Sequence, residues 1–182
     1  MGTQRGKIKW NQGGGPPMGW IDLSTAVPWI NPTPPAHHTM PGLFQGAKYC
    51  PTGLYRPTYD SKMKNLGQPY GAINEEQIVK RIYNKVAPIT NSSPAGDNLI
   101  IPAMQSRLFQ VTVPAPASHS LTAKWYVDGS YKQNGLSYNL VATTLNPGLH
   151  TLKVEVQDST PKVRYDPEKL LQESRIWTLK IF

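Results

Sequence analysis

The chain has 182 residues, which is room for one large domain or two small ones. Hydrophobic residues form 38% of it and five residues are Trp, which argues against global disorder. The formal net charge of +8 is concentrated in residues 1–88, where ten Lys/Arg face four Asp/Glu. These basic residues are spread over loops and do not cluster on one face, so we expect no nucleic-acid partner. Because no run of about 18 apolar residues occurs, we also expect no membrane span.

The first 71 residues have the composition of an irregular, loop-rich region. The runs NQGGGPPMGW and NPTPPAHHTMPG consist of turn and polyproline residues that do not hold long elements. Cys50 has no second cysteine with which to form a disulfide. His37 and His38 have no carboxylate or thiol near them in the sequence, so no metal site is predicted there.

One amphipathic helix is predicted in the segment NEEQIVKRIYNKV. Asn74 is a favourable N-cap residue, Gln77 completes a capping box, and Pro88 ends the helix. Apolar residues recur with helical spacing, which predicts one buried stripe made of Ile78, Val79, Ile82, Tyr83 and Val86. We expect this helix to cover a core and to carry no chemistry of its own.

The rest of the sequence alternates with period two, which is typical of half-buried strands. After a predicted linker at 87–98, six strands are expected, in the runs NLIIP, RLFQVTVP, LTAKWYVDG, SYNLV, GLHTLKVEVQD and RIWTLKIF. The pair Asp128-Gly129 predicts a hairpin turn, and Trp125 is expected in the core on a central strand. Six short strands with turns between them are typical of a β-sandwich of the immunoglobulin type.

The segment STPKVRYDPEKLLQES, between the last two predicted strands, is longer than a hairpin requires, so we expect a contact between domains there. Asp166 followed by Pro167 predicts a short helix over residues 168–172, with Leu170 and Leu171 packing back onto the protein. The expected fold class is α+β overall. A loop-rich domain at 1–88 ends in one helix, and an all-β, Ig-like sandwich follows at 98–182.

The stretch PGLFQGAKYCPTGLYRPTYDSKMKNLGQPY, followed by NEEQIVKRIYNKVAPI, resembles the region C-terminal to the zinc site in bacterial IgA-peptidase-like zinc metallopeptidases. The motif LYRPTYDSKM is the most specific part of the resemblance. The segments WYVDG and DSTPKVRYDPEKLLQESRIWTL resemble the Ig-like module that follows the catalytic domain in some members. The resemblance is strong over about residues 40–90, moderate over 100–182 and loose over 1–39.

The resemblance implies roles for several residues. Peptidases of this kind resemble metzincins, so DSKM would form the Met-turn, with the thioether of Met63 buried beneath the zinc. Tyr59 would offer a hydroxyl to an oxyanion and Arg56 would form a structural pair, whereas Asp60 is expected to shape a turn. The side chains expected to line the substrate cleft are Tyr55, Arg56, Tyr59, Pro69 and Tyr70.

The zinc ligands of this family are absent from the sequence. Such peptidases need H-E-x-x-H, which supplies two His ligands and a Glu general base, and the 182 residues contain no such motif. We therefore expect no catalytic residue and no bound zinc in this chain alone. Two explanations fit: the chain is a C-terminal fragment or clipped product whose N-terminal part carries the ligands, or it is a stand-alone remnant that kept the scaffold and lost the chemistry. The resemblance implies that the N-terminal part of the peptidase is the partner, that the substrate is a protein, and that the location is secreted, periplasmic or on the cell surface.

A non-catalytic binding module is the alternative interpretation. In this hypothesis the Ig-like half binds a protein or a glycan, and Tyr126, Tyr131 and Tyr138 near its turns supply aromatic contacts. Tyrosine is also common at ordinary half-buried strand positions, and we favour that interpretation for these three residues.

Overall fold

The computed structural model of the chain describes residues 7–9, 20–22, 44–47, 49–56 and 58–182. Before residue 58, side chains are described only for Tyr49 and Arg56. The chain divides into two compact units at Val79/Lys80, and Lys162–Arg164 group with the earlier residues. No helix in the described ranges combines the length and the apolar character needed to cross a bilayer.

Two antiparallel strand pairs lie in the region that was expected to be irregular. β1 (Lys7–Lys9) pairs with β2 (Trp20–Asp22), and β3 (Phe44–Ala47) pairs with β4 (Cys50–Arg56). The expectation of irregular structure is wrong for these four segments. Strand pairing depends on backbone hydrogen bonds between partners, and a sequence without period-two alternation gives no sign of them.

The predicted helix is present as α1 (Ala72–Tyr83), and it begins earlier than expected. Asn74 is not the N-cap: its side chain lies in the first turn and donates a hydrogen bond to the carbonyl oxygen of Tyr70 at 2.7 Å. The residues that α1 buries are Ile73, Asn74 and Glu76. Glu76 is held by Arg164, whose Nε lies 3.0 Å from Glu76 Oε2.

The prediction of a buried apolar stripe on α1 is wrong. Ile78, Ile82 and Val86 are exposed, whereas Val79 and Tyr83 are half-buried. Helical periodicity assumes that the apolar side of a helix turns inward, but polar side chains are also buried where distant residues supply their partners. Arg164 provides such a partner, and its distance in sequence hides it from any local pattern.

Residues 80–182 contain eight strands. They are β5 (Asn91–Ser93), β6 (Asn98–Ile101), β7 (Ser106–Thr112), β8 (Thr122–Val127), β9 (Ser130–Asn134), β10 (Ser137–Val141), β11 (Gly148–Gln157) and β12 (Gln172–Ile181). One sheet has the order β10-β7-β5 and the other the order β6-β12-β11-β8-β9. Neighbouring strands are antiparallel, except that β6 and β12 are parallel.

All six predicted strands are confirmed, as β6, β7, β8, β10, β11 and β12. The described residues contain the helix α1 and are otherwise mostly β, with two sheets in a sandwich-like arrangement. This architecture is consistent with the expected α+β class. β5 and β9 were not predicted as strands. β9 is exposed along its whole length, so it lacks the alternation by which the other strands were recognised.

The inward faces of the two sheets enclose one apolar core, as the alternation predicted. Trp125 of β8 and Trp177 of β12 are fully buried and stack with ring centroids 5.8 Å apart. The ring of Phe109 meets that of Trp177 edge-on at 5.2 Å. The other core residues are Ile101, Val111, Leu121, Ala123, Val127, Leu140, Ala142, Leu152, Val154, Val156, Leu179 and Ile181.

Both buried indole groups have a hydrogen-bond partner. Trp125 Nε1 donates to the carbonyl oxygen of Gly135 at 2.7 Å, and Trp177 Nε1 donates to that of Pro94 at 2.8 Å. A buried N–H without an acceptor is costly, so these bonds fix the two segments that supply the carbonyl groups.

The segment 87–98 is not a linker, contrary to the prediction from its composition. β5 lies within it and pairs with β7, and Pro94 provides the acceptor for Trp177. Ile89 packs against the core, and its backbone N–H donates to Glu173 Oε2 at 2.8 Å. Small polar residues favour turns, but their backbone groups can still pair with a neighbouring strand. Amino-acid composition does not predict such pairing.

The predicted short helix at 168–172 is also absent. Lys169 adopts a left-handed backbone with φ of 54°, and β12 already begins at Gln172. The Asp166 carboxylate accepts a hydrogen bond from the backbone N–H of Leu171 at 3.0 Å, so it closes a turn and does not cap a helix. Leu171 is buried, as expected, and Leu170 is half-buried.

The hairpin turn at Asp128-Gly129 is confirmed. Both residues have positive φ, 49° and 78°, as a type I′ turn between β8 and β9 requires. Asp128 Oδ1 accepts from the N–H of Thr151 at 2.8 Å, and Oδ2 lies 2.7 Å from His150 Nδ1. The other ring nitrogen of His150 lies 2.8 Å from the carbonyl oxygen of Asn146, so both nitrogens face acceptors.

This arrangement favours the charged forms of both side chains. The hydrogen bond to Asp128, followed by that to the Asn146 carbonyl, raises the pKa of His150 above its ordinary value. Burial alone would raise the pKa of Asp128, but the hydrogen bonds from His150 and Thr151 outweigh it and lower the pKa. The pair therefore acts as an imidazolium–carboxylate bridge beside the turn.

Replacing Trp125 tests the role of the stacked indoles. We expect Trp125→Ala to lower the free energy of unfolding by about 3–5 kcal/mol, because it empties a buried site and leaves Gly135 without its donor. Ile176→Ala, on the outward face of β12, should change it by less than about 0.5 kcal/mol. Urea unfolding followed by Trp fluorescence measures both variants. Equal effects of the two substitutions would contradict a core organised by Trp125.

The His150–Asp128 pair predicts a pH-dependent contribution to stability. The raised pKa of His150 gives stability that is complete below about pH 6.5 and is lost as pH rises through the folded pKa. The lowered pKa of Asp128 gives stability that is present above about pH 4 and is lost on further acidification. We expect the stability difference between wild type and His150→Gln to be largest near pH 5.5 and to shrink by pH 8.5. Urea unfolding at several pH values measures it, and a constant difference would refute the bridge.

Candidate functional site

Residues 58–71, here called the braced loop, contain most of the residues assigned to a substrate cleft. Backbone hydrogen bonds join Lys62 N to the Pro69 carbonyl oxygen at 2.8 Å and Asn65 N to that of Ser61 at 2.9 Å. Asp60 Oδ1 accepts from Ser61 N at 3.0 Å and from Asn65 Nδ2 at 2.8 Å. The expectation that Asp60 shapes a turn is therefore confirmed. These hydrogen bonds join residues within the loop, which contains no regular element.

Cationic groups lie over the two tyrosine rings of the braced loop. The Arg56 guanidinium and the Lys64 ammonium lie 5.9 and 5.6 Å from the ring centroid of Tyr59. Lys62 lies 5.2 Å from the ring centroid of Tyr70. Arg56 Nε also donates to the carbonyl oxygen of Tyr59 at 3.1 Å, so Arg56 positions that residue.

Met63 is 58% exposed, so the described residues of this chain do not by themselves bury its thioether. The Met-turn assignment itself remains a prediction. Ser61 and Lys62 of DSKM take part in backbone hydrogen bonds within the loop. Tyr59, Pro69 and Tyr70 are exposed, whereas Tyr55 is described only by its backbone in β4.

The end of the braced loop is tightly packed at Gly71. Its φ is 82°, a left-handed conformation that a side chain disfavours. A Cβ atom at this position would lie 2.9 Å from Thr58 Cγ2, and Thr58 is buried. Gly71 therefore combines a special backbone conformation with a close approach to the start of the same loop.

A second candidate surface lies on the outward side of β8 and β9. We call it the aromatic face, and it is formed by Lys124, Tyr126, Tyr131 and Asn134. Tyr126 and Tyr131 lie opposite each other across the hairpin, with ring centroids 5.9 Å apart and planes inclined by 70°. Lys124 pairs with Asn134 one row further along. The four side chains line a shallow concavity of about 400 Å³.

β11 adds charge beside the aromatic face. Lys153 Nζ lies 2.5 Å from Glu155 Oε1. This bond is the main cause that lowers the pKa of Glu155, with a further contribution from a hydrogen bond to the hydroxyl of Tyr126. Partial burial, followed by the negative charge of Glu155, raises the pKa of Tyr126, so its hydroxyl remains a donor.

The three tyrosines proposed as aromatic contacts have different environments. Tyr138 is half-buried and stacks on Trp125 with centroids 5.7 Å apart, so it belongs to the core. Its ordinary packing role is confirmed, and burial raises the pKa of its hydroxyl. Tyr126 and Tyr131 instead face outward. Sequence reasoning missed Lys124 and Asn134 as their neighbours, although period-two alternation from Tyr126 places Lys124 on the same face.

Sequence reasoning also missed a buried carboxylate cluster around Asp158. His119 Nε2 lies 2.6 Å from Asp158 Oδ1, and the Tyr83 hydroxyl donates to Oδ2 at 2.5 Å. The backbone N–H of Thr160 donates to Oδ1 at 2.8 Å, and Ser118 Oγ lies 3.1 Å from His119 Nδ1. Burial, assisted by the bond to Asp158, raises the pKa of Tyr83. Both carboxylate oxygens are used to join segments far apart in sequence, so we assign the cluster a structural role.

Among the described residues, no group of three or more His, Cys, Asp or Glu side chains could hold a metal ion. His37 and His38 lie outside the described residues. The residues present in the described ranges therefore do not fit a zinc site.

No protein-family model matches the sequence, and no curated protein matches it. One similar solved structure is a quinonprotein alcohol dehydrogenase-like protein from Bacteroides thetaiotaomicron, with a TM-score of 0.39 and 10% identity over 53% of this chain and 20% of that chain. Another is that of fibronectin(III)-like modules of CbhA from Clostridium thermocellum, with a TM-score of 0.34 and 11% identity over 50% of this chain and 93% of that chain. At these TM-scores neither similarity bears on what this chain does.

Substituting glycines tests the packing of the braced loop. Gly67 and Gly71 both have positive φ, but only Gly71 approaches another residue closely. We expect Gly67→Ala to cost about 1 kcal/mol of local stability and Gly71→Ala about 1–3 kcal/mol more. Hydrogen exchange of the Lys62 and Asn65 amides measures the opening of the loop.

The matching control is the double variant Gly71→Ala/Thr58→Ser, which removes the Cγ2 atom that the new methyl group would meet. In this double variant, the Lys62 and Asn65 amides should exchange hydrogen at the rate measured for Gly67→Ala. If Gly71→Ala and Gly67→Ala exchange at the same rate, the close approach to Thr58 does not constrain the loop.

Proposed function

We propose that this chain is the C-terminal portion of a secreted, IgA-peptidase-like zinc metallopeptidase, in which it forms one side of the substrate cleft and does not hydrolyse peptides by itself. The motif LYRPTYDSKM, followed by α1, supports the proposal through its resemblance to that family. The structural observation that carries it is the braced loop. Hydrogen bonds within the loop fix its turns, and the loop presents apolar and aromatic side chains to solvent.

Several large apolar and aromatic side chains are exposed in the braced loop and at the start of α1. Leu66 is 93% exposed and Met63 is 58% exposed, and Tyr59, Tyr70 and Ile78 are exposed in the same unit. Apolar side chains held at a surface in a fixed arrangement are typical of interaction sites. Under the proposal, the zinc-bearing segment of the peptidase packs against Met63 and Leu66, which become buried.

The candidate cleft residues would then act in binding. Tyr59 and Tyr70 offer rings and hydroxyls to a protein substrate, and Arg56 positions Tyr59 through its carbonyl group. Tyr55 and Pro69 remain proposed lining residues. Because the described residues do not fit a zinc site, the H-E-x-x-H ligands and the general base are assigned to a preceding segment, and no hydrolytic step is assigned to these residues.

We further infer that residues 80–182 form an immunoglobulin-like accessory module. The sheet order β10-β7-β5 corresponds to strands E, B and A of that fold, and β12-β11-β8-β9 corresponds to G, F, C and C′. Trp125 lies on the strand equivalent to C, where immunoglobulin domains carry their core tryptophan. The cysteine pair of antibody domains has no counterpart here, since Cys50 is the sole cysteine.

The proposal is tested first on the chain alone and then on its gene. We expect the purified chain to contain no stoichiometric zinc by elemental analysis and to leave a general protease substrate intact. The genomic sequence upstream should encode H-E-x-x-H in the same reading frame. The extended protein should bind zinc and hydrolyse the substrate. An upstream sequence without that motif would refute the proposal.

Methionine oxidation tests the predicted role of the braced loop. With hydrogen peroxide and mass spectrometry, Met63 should oxidise readily in this chain and become protected in the extended, zinc-loaded protein. Met104, 88% exposed in the second unit, provides the internal control and should oxidise in both. If Met63 oxidises equally in both proteins, it does not lie beneath the zinc site.

A non-catalytic binding module is a second candidate function, and the aromatic face favours it. Tyr131 is 54% exposed beside Tyr126, and the concavity between them is lined by both apolar and polar groups. Such a mixture is typical of ligand sites. This candidate concerns only the second unit, so it is compatible with the peptidase proposal.

A further inference from the structure

The rings of Tyr126 and Tyr131 form a corner on the aromatic face. The planes of Tyr126 and Tyr131 are inclined by 70°, so a ligand that packs on one ring meets the edge of the other. The concavity is shallow and largely open to solvent, with a volume of about 400 Å³. A small ring therefore lies against this corner with its outer side in solvent.

The groups around the corner are suited to hydroxyl groups. The Asn134 amide both donates and accepts hydrogen bonds, and the Lys124 ammonium opposite it donates. Glu155 offers a carboxylate acceptor on the neighbouring strand, where it contacts Lys153. A hydroxyl also both donates and accepts, so a ligand with many of them satisfies this lining at several points.

The corner is also prearranged. The rings of Tyr126 and Tyr131 contact each other edge to face, and the turn at Asp128-Gly129 fixes the pairing of the two residues. Side chains that are already ordered lose little conformational entropy when a ligand binds.

We propose that the aromatic face binds a saccharide, with a pyranose ring packed on Tyr131 and its hydroxyls bonded to Asn134 and Lys124. This inference rests on the second candidate function, the binding module, and names its ligand class. The carbon-bound hydrogens of a sugar ring pack well on an aromatic face, while the ring's hydroxyls point sideways to polar groups.

The surroundings of the corner favour a saccharide over a protein partner. The outward positions next to it are mostly polar, namely Thr122, Gln157 and Ser174, and Ile176 is the apolar exception. The centre of a protein–protein interface is depleted in charged residues, whereas Lys124, Lys153 and Glu155 lie in or beside this corner. A ligand that occupies only the corner needs no broad apolar surface around it.

Affinity electrophoresis provides the test. The chain is run in native gels that contain hydroxyethyl cellulose, xylan, galactomannan or glycogen, and we expect at least one of them to retard it. Calorimetry with a hexasaccharide of that polymer then gives the affinity. Tyr131→Ala should lower the affinity about tenfold or more, and Asn134→Ala severalfold.

Tyr165→Ala is the matched control, because Tyr165 is 60% exposed and lies outside the aromatic face. It should bind like the wild type, and near-UV circular dichroism should show that all variants are folded. Retardation by none of the four polymers would overturn the proposal. An undiminished affinity in Tyr131→Ala, or an equal loss in Tyr165→Ala, would also overturn it.

A protein ligand would give a different result. If immobilised chain retained a purified protein, but none of the polymers, and Tyr131→Ala abolished retention, the saccharide assignment would fail while the binding module would stand. Zinc content, hydrolysis and Met63 oxidation do not depend on the aromatic face. Failure of the saccharide proposal is therefore distinguishable from failure of the peptidase proposal.

Discussion

The stacking of Trp125 on Trp177 is the interaction on which the second unit depends. The two rings lie on β8 and β12, with β11 between these strands, and they fill the space between the two sheets. Each indole also needs an acceptor for its buried N–H. Gly135 and Pro94 supply the carbonyl oxygens, so the stack fixes one segment after β9 and another after β5. A single pair of side chains thus determines sheet spacing and the course of two loops.

The aromatic face follows from the same constraint. Since side chains alternate along a strand, burial of Trp125 turns Tyr126 outward. The two-residue turn at Asp128-Gly129 then places Tyr131 opposite Tyr126. The outward corner is therefore a consequence of the core and the turn. The polar residues that line the corner are not part of the core. Substitutions among them would therefore change ligand binding without loss of stability.

The braced loop is stabilised in a different way. Its conformation depends on hydrogen bonds of Asp60, Ser61 and Pro69 and on cations over aromatic rings, and several of its apolar side chains remain exposed. A loop ordered by polar groups has its apolar side chains free for contact with another surface. In a loop ordered by an apolar core, those side chains would be buried. This difference is the physical basis for interpreting the braced loop as a contact surface.

The sequence by itself determined six strands, the Asp128-Gly129 turn, the burial of Trp125 and the existence of α1, because alternation, turn chemistry and helical spacing are local properties. The pairing of Tyr126 with Tyr131 was not predicted, because β9 is exposed along its whole length and shows no alternation. A register shift between Trp125 and Tyr126 then sets Lys124 opposite Asn134, and no local pattern contains that shift. The tertiary structure alone decided the buried side of α1, the incorporation of 87–98 into a sheet, and the cluster around Asp158. In each case a polar group is satisfied by a partner distant in sequence, such as Arg164 for Glu76, and only the folded chain brings the two together.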